Sequence, residues 1–286
     1  MRYIIVSDSS SNVFTVTGAE YATVPMKIIA EKEYVDTPTL DLQGMVADLK
    51  KFKGKSGSSC ANVQEWLDAF GDADGVFCVT ISKNLSGSFN SAKRAVETFL
   101  EENPGKKAHV FDSLAAGPQQ AMLVDKLAQL VSEGHDFETI VEKALDYHNH
   151  THILFRLESL TNLARNGRVN PAVAKIAGVL GICAVGEAQG GQIVALYKPR
   201  GEKKAIAAMV EQMTSRGLRD GNLVRIAHCY AEPAAEALMT ALKEKYPNCR
   251  FILEQTTALC SFYAEVGGLI VGYEGNFCDY NDNSKF

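Results

Sequence analysis

The sequence predicts an α/β fold in two domains: an N-terminal parallel-sheet domain over residues 1–150 and a C-terminal mixed-sheet domain over residues 151–286. In the first half, short apolar runs alternate with helical patterns, as in strand–helix–strand units of a parallel sheet. After about residue 150 this rhythm changes, and two strand-like runs meet at Gly190-Gly191, a hairpin signal. A chain of 286 residues with 46% apolar residues is large enough for two such cores.

Three apolar runs predict the strands of the first domain, and helical patterns stand between and after them. The strands are "RYIIVSD" (2–8), "DGVFCVTIS" (74–82) and "KAHVFDS" (107–113). The helices are "VQEWLDAF", "FNSAKRAVETFLEEN" and "GPQQAMLVDKLAQLVSEG". Parallel strands joined by helices in this way require right-handed crossovers, which bring all their carboxyl ends to one edge of the sheet.

Polar residues follow each of these three strands. They are Asp8-Ser9-Ser10, the segment from Ser82 to Ser88, and Asp112-Ser113. Ligands of open α/β sheets bind outside the carboxyl ends of the strands. We therefore expect this edge to carry the function.

The second domain is predicted to contain strands and helices in a different order. Strands are expected at "THILFRLES", in both arms of "ICAVGEAQGGQIVALYKPR", at "NLVRIAHCY" and at "CRFILEQ". Helices are expected at "NPAVAKIAGVLG", over 202–216 and at "PAAEALMTALKEKYP", and Pro171 suits a first helical turn. The glycine-rich "SFYAEVGGLIVGYEG" is interpreted as a further pairing element.

Composition excludes several classes of protein. The net charge of −5 and the scattered Lys and Arg residues argue against nucleic-acid binding. No stretch has the apolar length of a membrane span, and the apolar start is too short for a signal peptide. Seven cysteines, an odd number without a CxxC pair, include Cys78, Cys229 and Cys249 in apolar segments. Buried reduced thiols of this kind indicate a cytoplasmic protein.

Two apparent motifs do not support the chemistry that they suggest. The GKS of "GKSGSSCAN" lacks the P-loop glycine, since Leu49 stands in its place, and a hydroxyl cap for the next helix is the simpler interpretation. His148, His150 and His152 are spaced like metal ligands on a strand, but they straddle a helix end and a strand start. We interpret them as a solvated helix terminus near the negative end of the dipole, without a metal.

The segment "LSGSFNSA" leaves two alternatives open. Gly87 permits a tight turn, and Ser86 or Ser88 can cap the following helix. The same helix N-terminus, flanked by hydroxyls, also suits a carboxylate or phosphate. A second hypothesis makes the chain an enzyme that uses Asp8 or Asp112 as nucleophile or base on a small phosphorylated substrate.

Six motifs, in order along most of the chain, resemble those of the DegV family of bacterial fatty-acid-binding proteins. They are "IIVSDSSSN", "SSCANVQEW", "LSGSFNSA", "VFDSLAAGPQQAMLV", "LESLTNLARNGRVN" and "GGQIVALYKPRGEKKAI". The chain departs from the family pattern at Cys60-Ala61, where the family has Gln-Pro, and at Asn166, which replaces a glycine. Tyr263 stands where many members have a histidine.

The resemblance implies a non-catalytic protein without a cofactor or metal, which binds a long-chain fatty acid in a tunnel between the two domains. The carboxylate would be held by serine hydroxyls at a helix N-terminus. The implied head-group residues are Ser58, Ser59, Ser86, Gly87 and Tyr263. Some members present the acid to a separate fatty acid kinase, and Arg168 and Arg200 would then lie near that partner or its phosphate.

Overall fold

The computed structural model describes residues 1–170 and 182–278, which form two compact units. The first comprises Met1–Ala116 and Gln120–His148, and the second comprises Gly117–Gln119 and the described part of Asn149–Phe286. The helix predicted over 170–181 lies outside the described residues, apart from Asn170.

The first unit alternates strands and helices along the chain. A 3₁₀ turn, Ser9–Ser11, follows the first strand. The strands are β1 (Tyr3–Asp8), β2 (Glu20–Val24), β3 (Lys27–Ile29), β4 (Glu33–Val35), β5 (Gly57–Ser59), β6 (Gly75–Thr80) and β7 (Lys107–Asp112). The helices are α1 (Leu42–Lys51), α2 (Val63–Phe70), α3 (Ser88–Glu102), α4 (Pro118–Ser132) and α5 (Phe137–His148).

A parallel four-stranded sheet, in the order β2-β1-β6-β7, forms the centre of this unit. Alternate residues of β1 and β6 pack into two different cores. Ile5 and Phe77 belong to the core that includes residues of α4 and α5. Val6 and Cys78 belong to the core with Trp66 of α2 and residues of α3. Because both faces are covered, these strands are apolar throughout, and the strands predicted at 2–8, 74–82 and 107–113 are confirmed.

A second, antiparallel sheet in the order β4-β3-β5 was not predicted from the sequence. Each of its strands has three residues, which is too short for an alternating pattern to be recognised. Ile28 in the middle of β3 is buried and pairs with Ser58 of β5. The predicted hydroxyl loop is therefore partly a strand.

The cap of helix α2 is Asn62, and not one of the preceding serines. The Asn62 side chain accepts a hydrogen bond from the Glu65 N–H, and the Glu65 carboxylate accepts one from the Asn62 N–H, which completes a capping box. The hydroxyls of the "GKSGSS" segment are thus not required for capping this helix.

We expect Asn62→Ala to lower the free energy of unfolding by about 1 kcal/mol, because the alanine leaves a first-turn N–H without its acceptor. Chemical denaturation of the variant, compared with Gln64→Ala two residues further along the chain, measures this loss. Equal stability of the two variants would contradict the capping role.

The second unit contains a six-stranded mixed sheet in the order β10-β9-β8-β13-β11-β12, in which only β11 and β12 are parallel among the described pairs. The strands are β8 (Thr151–Leu157), β9 (Ala184–Gln189), β10 (Gln192–Tyr197), β11 (Leu223–His228), β12 (Arg250–Gln255) and β13 (Leu269–Glu274). The helices are α6 (Thr161–Arg165), α7 (Glu202–Ser215), α8 (Glu232–Lys245) and α9 (Ala258–Ala264). The predicted mixed sheet and its hairpin at Gly190-Gly191 are confirmed.

Two predictions for the second half of the chain were wrong in detail. The segment "SFYA", taken as part of a pairing element, ends helix α9, and only Leu269–Glu274 forms a strand. The histidine cluster is not a solvated terminus, since His148 and His152 are both buried. His152 Nε2 lies 2.9 Å from the carbonyl oxygen of Asn276, a residue distant in sequence that the local pattern does not reveal.

Candidate functional site

The polar ends of β1, β6 and β7 meet at one edge of the parallel sheet, as predicted. The Ile81 N–H after β6 donates to Asp8 Oδ2 at the end of β1 over 3.0 Å. The Lys83 N–H donates to Asp112 Oδ1 at the end of β7 over 3.2 Å. Direct hydrogen bonds thus connect the three strand ends.

Asp8 lies at the centre of this edge and is fully buried. Its Oδ2 accepts hydrogen bonds from Ser88 Oγ at 2.6 Å and from the Ile81 N–H. Its Oδ1 contacts Ser10 Oγ and accepts from Gln120 Nε2 at 2.9 Å. Burial raises the pKa of the Asp8 carboxyl above its ordinary value, although all four hydrogen bonds act to lower it. A carboxyl group so enclosed orders its neighbours and is poorly placed to attack a substrate.

The turn Ser86-Gly87-Ser88 leads into helix α3 and shows which residue occupies its N-cap position. Gly87 is the N-cap residue, so no side chain caps the helix from that position. Ser86 Oγ accepts from the Ser88 N–H at 3.2 Å, and the Ser88 hydroxyl donates to Asp8. Among the residues that the structure describes, Ser86 Oγ makes this one contact and makes it as an acceptor. Its hydroxyl hydrogen is therefore available to donate.

The loop after β5 lies beside this turn. A Cβ atom placed on Gly87 would be 3.4 Å from Cys60 Sγ, so the two hydroxyl-containing segments are neighbours within the first unit. Ser58 is half-buried, whereas Ser59 is exposed. Successive residues of a strand point to opposite faces, so Ser58 and Ser59 do not present their hydroxyls to the same side.

Asp112 and Lys83 stand at the same edge. Lys83 Nζ lies 3.5 Å from Asp112 Oδ2 and 5.9 Å from the centre of the Phe89 ring on α3. The Leu114 N–H also donates to Asp112 Oδ1 over 3.0 Å. This pairing holds Asp112 in a loop-ordering role and places a cation close to the first turn of α3.

The remaining predicted site residues belong to the second unit. Tyr263 lies on α9, half-buried, and packs against the core that includes Phe155 and Leu160. Arg168 Nη1 donates to the carbonyl oxygen of Asn166. Arg200 is exposed and forms an isolated antiparallel bridge with Ile182. Their assignment to a ligand or a partner stays a prediction.

Two partners of Asp8 were missed by the sequence analysis, namely Ser10 as a specific contact and Gln120. The signal for Gln120 was present, because Gln119 and Gln120 both fall on the first turn of an apolar helix, and both are buried. A glutamine in such a position needs a polar partner. The partner could not be named, since 112 positions separate Gln120 from Asp8.

Within residues 1–170 and 182–278, no three His, Cys, Asp or Glu side chains come together as a metal site would require. The same part of the chain has no helix with the length and apolar character needed to cross a bilayer.

The fold and this edge define a class of protein: a two-unit α/β protein with a buried aspartic side chain and serine hydroxyls at the carboxyl edge of a parallel sheet. A family model described as "Uncharacterised protein, DegV family" matches residues 3–275, and the chain belongs to the DegV family. A DegV domain-containing protein of Streptococcus gordonii is 37% identical over 280 residues, which cover 96% of this chain and 99% of that protein.

Two solved structures extend this relationship. A DegV family protein from Eubacterium eligens, loaded with heptadecanoic acid, is 36% identical with a TM-score of 0.93. The fatty acid kinase B3 protein of Streptococcus pneumoniae, loaded with linoleic acid, is 35% identical, also with a TM-score of 0.93. Each match covers 96% of this chain and 100% of the other.

Proposed function

We propose that this chain binds a long-chain fatty acid, and that the first turn of α3 holds its carboxylate. The proposal depends on the hydrogen bond of Ser86. Its Oγ accepts from the Ser88 N–H, so the hydroxyl hydrogen can be donated to a ligand. First-turn N–H groups of a helix have no acceptor four residues earlier, and the helix dipole favours an anion there. Ser58 supplies a second hydroxyl from the neighbouring segment.

This arrangement suits a carboxylate head group for a chemical reason. Neutral hydroxyls and N–H groups bind the anion without forming a buried ion pair, so the bound acid keeps a reactive carboxylate. The alkyl chain contributes about 0.8 kcal/mol per buried CH₂, so the tail dominates the affinity. Relatives that share 36% and 35% of their residues with this chain hold heptadecanoic and linoleic acid, which supports the same ligand class here.

Several finer features stay predictions. They are the tunnel between the two domains, the contact of Tyr263 with the head group, and the roles of Ser59, Arg168 and Arg200. Residence in the cytoplasm belongs to the proposal as well, and is supported by thiols that serve as core residues: burial raises the pKa of Cys78 well above its ordinary value.

We also propose that the chain has no catalytic activity of its own and presents the acid to a separate fatty acid kinase. The similarity to the kinase B3 protein supports this role. The alternative, catalysis by Asp8 or Asp112, receives no support from the geometry, since both side chains accept hydrogen bonds from backbone N–H groups.

Native mass spectrometry of the protein purified from bacterial cells tests the ligand class. We expect a fatty acid to be recovered at about one molecule per chain, as a single head-group site requires. An empty protein that does not take up added palmitate would overturn the proposal.

The double variant Ser58→Ala/Ser86→Ala tests the head-group contacts. We expect palmitate binding to weaken by a few kcal/mol at most, because hydrogen bonds to charged groups contribute about 1.5–3 kcal/mol each and the tail contacts remain. Fluorescent-ligand displacement measures the change, and Ser132→Ala, at an exposed position on α4, is the matched control. Unchanged affinity in the double variant would mean that other groups hold the carboxylate.

A further inference from the structure

Ser10 Oγ contacts two oxygen atoms beside the Asp8 carboxyl, but it has only one hydrogen to donate. Ser10 Oγ contacts Asp8 Oδ1 and lies 2.6 Å from Gln120 Oε1. Both of these oxygens are acceptors when Asp8 is ionised, and a serine hydroxyl donates only one hydrogen. One of the two contacts therefore lacks a hydrogen if Asp8 carries a charge.

Exchanging the amide nitrogen and oxygen of Gln120 does not resolve this shortage. In its present orientation Gln120 Nε2 donates to Asp8 Oδ1 over 2.9 Å and faces the carbonyl oxygen of Val79 at 3.4 Å. After the exchange, the amide oxygen of Gln120 would face Asp8 Oδ1 and the Val79 carbonyl oxygen, and neither of these atoms could donate to it if Asp8 is ionised. A proton on Asp8 Oδ1 resolves the shortage, because Asp8 then donates to Ser10 and Ser10 donates to Gln120.

No basic side chain that the structure describes contacts the Asp8 carboxyl to favour its charged form. The titratable groups Tyr21 and Asp36 on the surrounding elements contact Ser7 and Ser9, the residues on either side of Asp8. Tyr21 on β2 reaches Ser7 Oγ at 2.5 Å, and Asp36 after β4 accepts from Ser9 Oγ at 2.9 Å. Cys78 is buried within β6, and the remaining cation and carboxylate at this edge, Lys83 and Asp112, pair with each other.

We propose that Asp8 is a neutral carboxylic acid in the folded protein at neutral pH, and that its ionisation opposes binding of the fatty-acid carboxylate. This inference rests on the proposed function. Asp8 is two hydrogen bonds from the head-group donor, since it accepts from the Ser88 hydroxyl and the Ser88 N–H donates to Ser86. A negative charge on Asp8 would compete with the ligand for the positive end of α3. Asp8 is thus a positioning residue that makes binding depend on pH.

Infrared spectroscopy of the ligand-free protein tests the protonation directly. At neutral pH we expect a carbonyl stretch of a protonated carboxylic acid, which shifts on ¹³C labelling of aspartate and disappears in Asp8→Asn. The band must remain in Asp36→Asn, which removes the neighbouring buried carboxylate, and this comparison serves if Asp8→Asn does not fold. Absence of the band in the wild type, or its loss in Asp36→Asn, would overturn the inference.

Isothermal titration with dodecanoate between pH 6 and pH 9 tests the coupling. Relative to Asp8→Asn, the wild-type affinity should fall as pH rises, by up to about tenfold per pH unit where one proton is released. Asp112→Asn should keep the wild-type pH profile. Identical profiles for wild type and Asp8→Asn would overturn the coupling, whereas a wild type that binds no fatty acid at any pH but shows the infrared band would overturn only the proposed function.

Discussion

Gly87→Leu is expected to weaken fatty-acid binding strongly while leaving the first unit folded. Gly87 has φ −73° and ψ −3°, an ordinary right-handed conformation that any residue adopts, so the substitution introduces no backbone strain. The residue is exposed, and its Cβ atom would lie 3.4 Å from Cys60 Sγ, which is an ordinary contact. The leucine side chain would project between the two hydroxyl segments and exclude the head group from the α3 N-terminus.

The affinity for palmitate should fall by about 100-fold or more, because a carboxylate displaced from its donors into an apolar contact loses its hydrogen bonds without replacement. Displacement of a fluorescent fatty acid measures the loss, and thermal unfolding confirms that the variant is folded. Glu102→Leu places the same side chain on the exposed last residue of α3 and should bind as the wild type does. A folded Gly87→Leu protein with wild-type affinity would remove this turn from the site.

Lowering the pH towards 4 is expected to destabilise the protein through His148. Burial lowers the pKa of His148 from 6.5 to about 4, so the folded state holds this imidazole neutral over a range where the unfolded chain protonates it. The unfolded state then binds more protons, and the free energy of unfolding falls as pH decreases through this window. The loss is about 2 kcal/mol at pH 5 and approaches about 3 kcal/mol near pH 4.

Denaturant unfolding of wild type and His148→Gln at pH 7.5 and pH 5 measures this effect. The wild type should lose about 2 kcal/mol more than the variant between these two values. His135→Gln, at a more solvent-accessible position in the loop before α5, is the matched control and should follow the wild type. Equal losses in wild type and His148→Gln would contradict the buried, neutral state of this histidine.

The sequence predicts those elements whose local pattern extends over several residues. β1, β6 and β7 are short apolar runs bounded by polar residues, and the intervening helices have a clear period, so their locations follow from local pattern. The three-residue strands β3, β4 and β5 have no such pattern, because long-range pairing alone defines them. For the same reason the sequence did not distinguish Ser58 from Ser59. Both lie on β5, where successive side chains point to opposite faces.

The sequence predicted that polar strand ends gather at one edge of the sheet, but it did not predict their contacts. The polar ends of the parallel strands indicated where Asp8, Ser86 and Asp112 gather, because strand direction fixes that edge. Ser88 donates to Asp8, whereas Ser86 accepts from the Ser88 N–H. The spacing of the two serines in the sequence does not indicate which of them contacts Asp8. The interpretation of His148 failed for a related reason: the dipole of α5 favours a cation, but burial outweighs it.

The separation of the Asp8 partners along the chain has a consequence for biosynthesis. Ser88 and Gln120 follow Asp8 by 80 and 112 positions. Non-local pairings of this kind form late, after the entropy of closing long loops has been overcome. A nascent chain on the ribosome that has not yet emerged past α4 therefore lacks a complete set of contacts around Asp8. If the proposed head-group site is correct, lipid capture should begin only after that helix has been released.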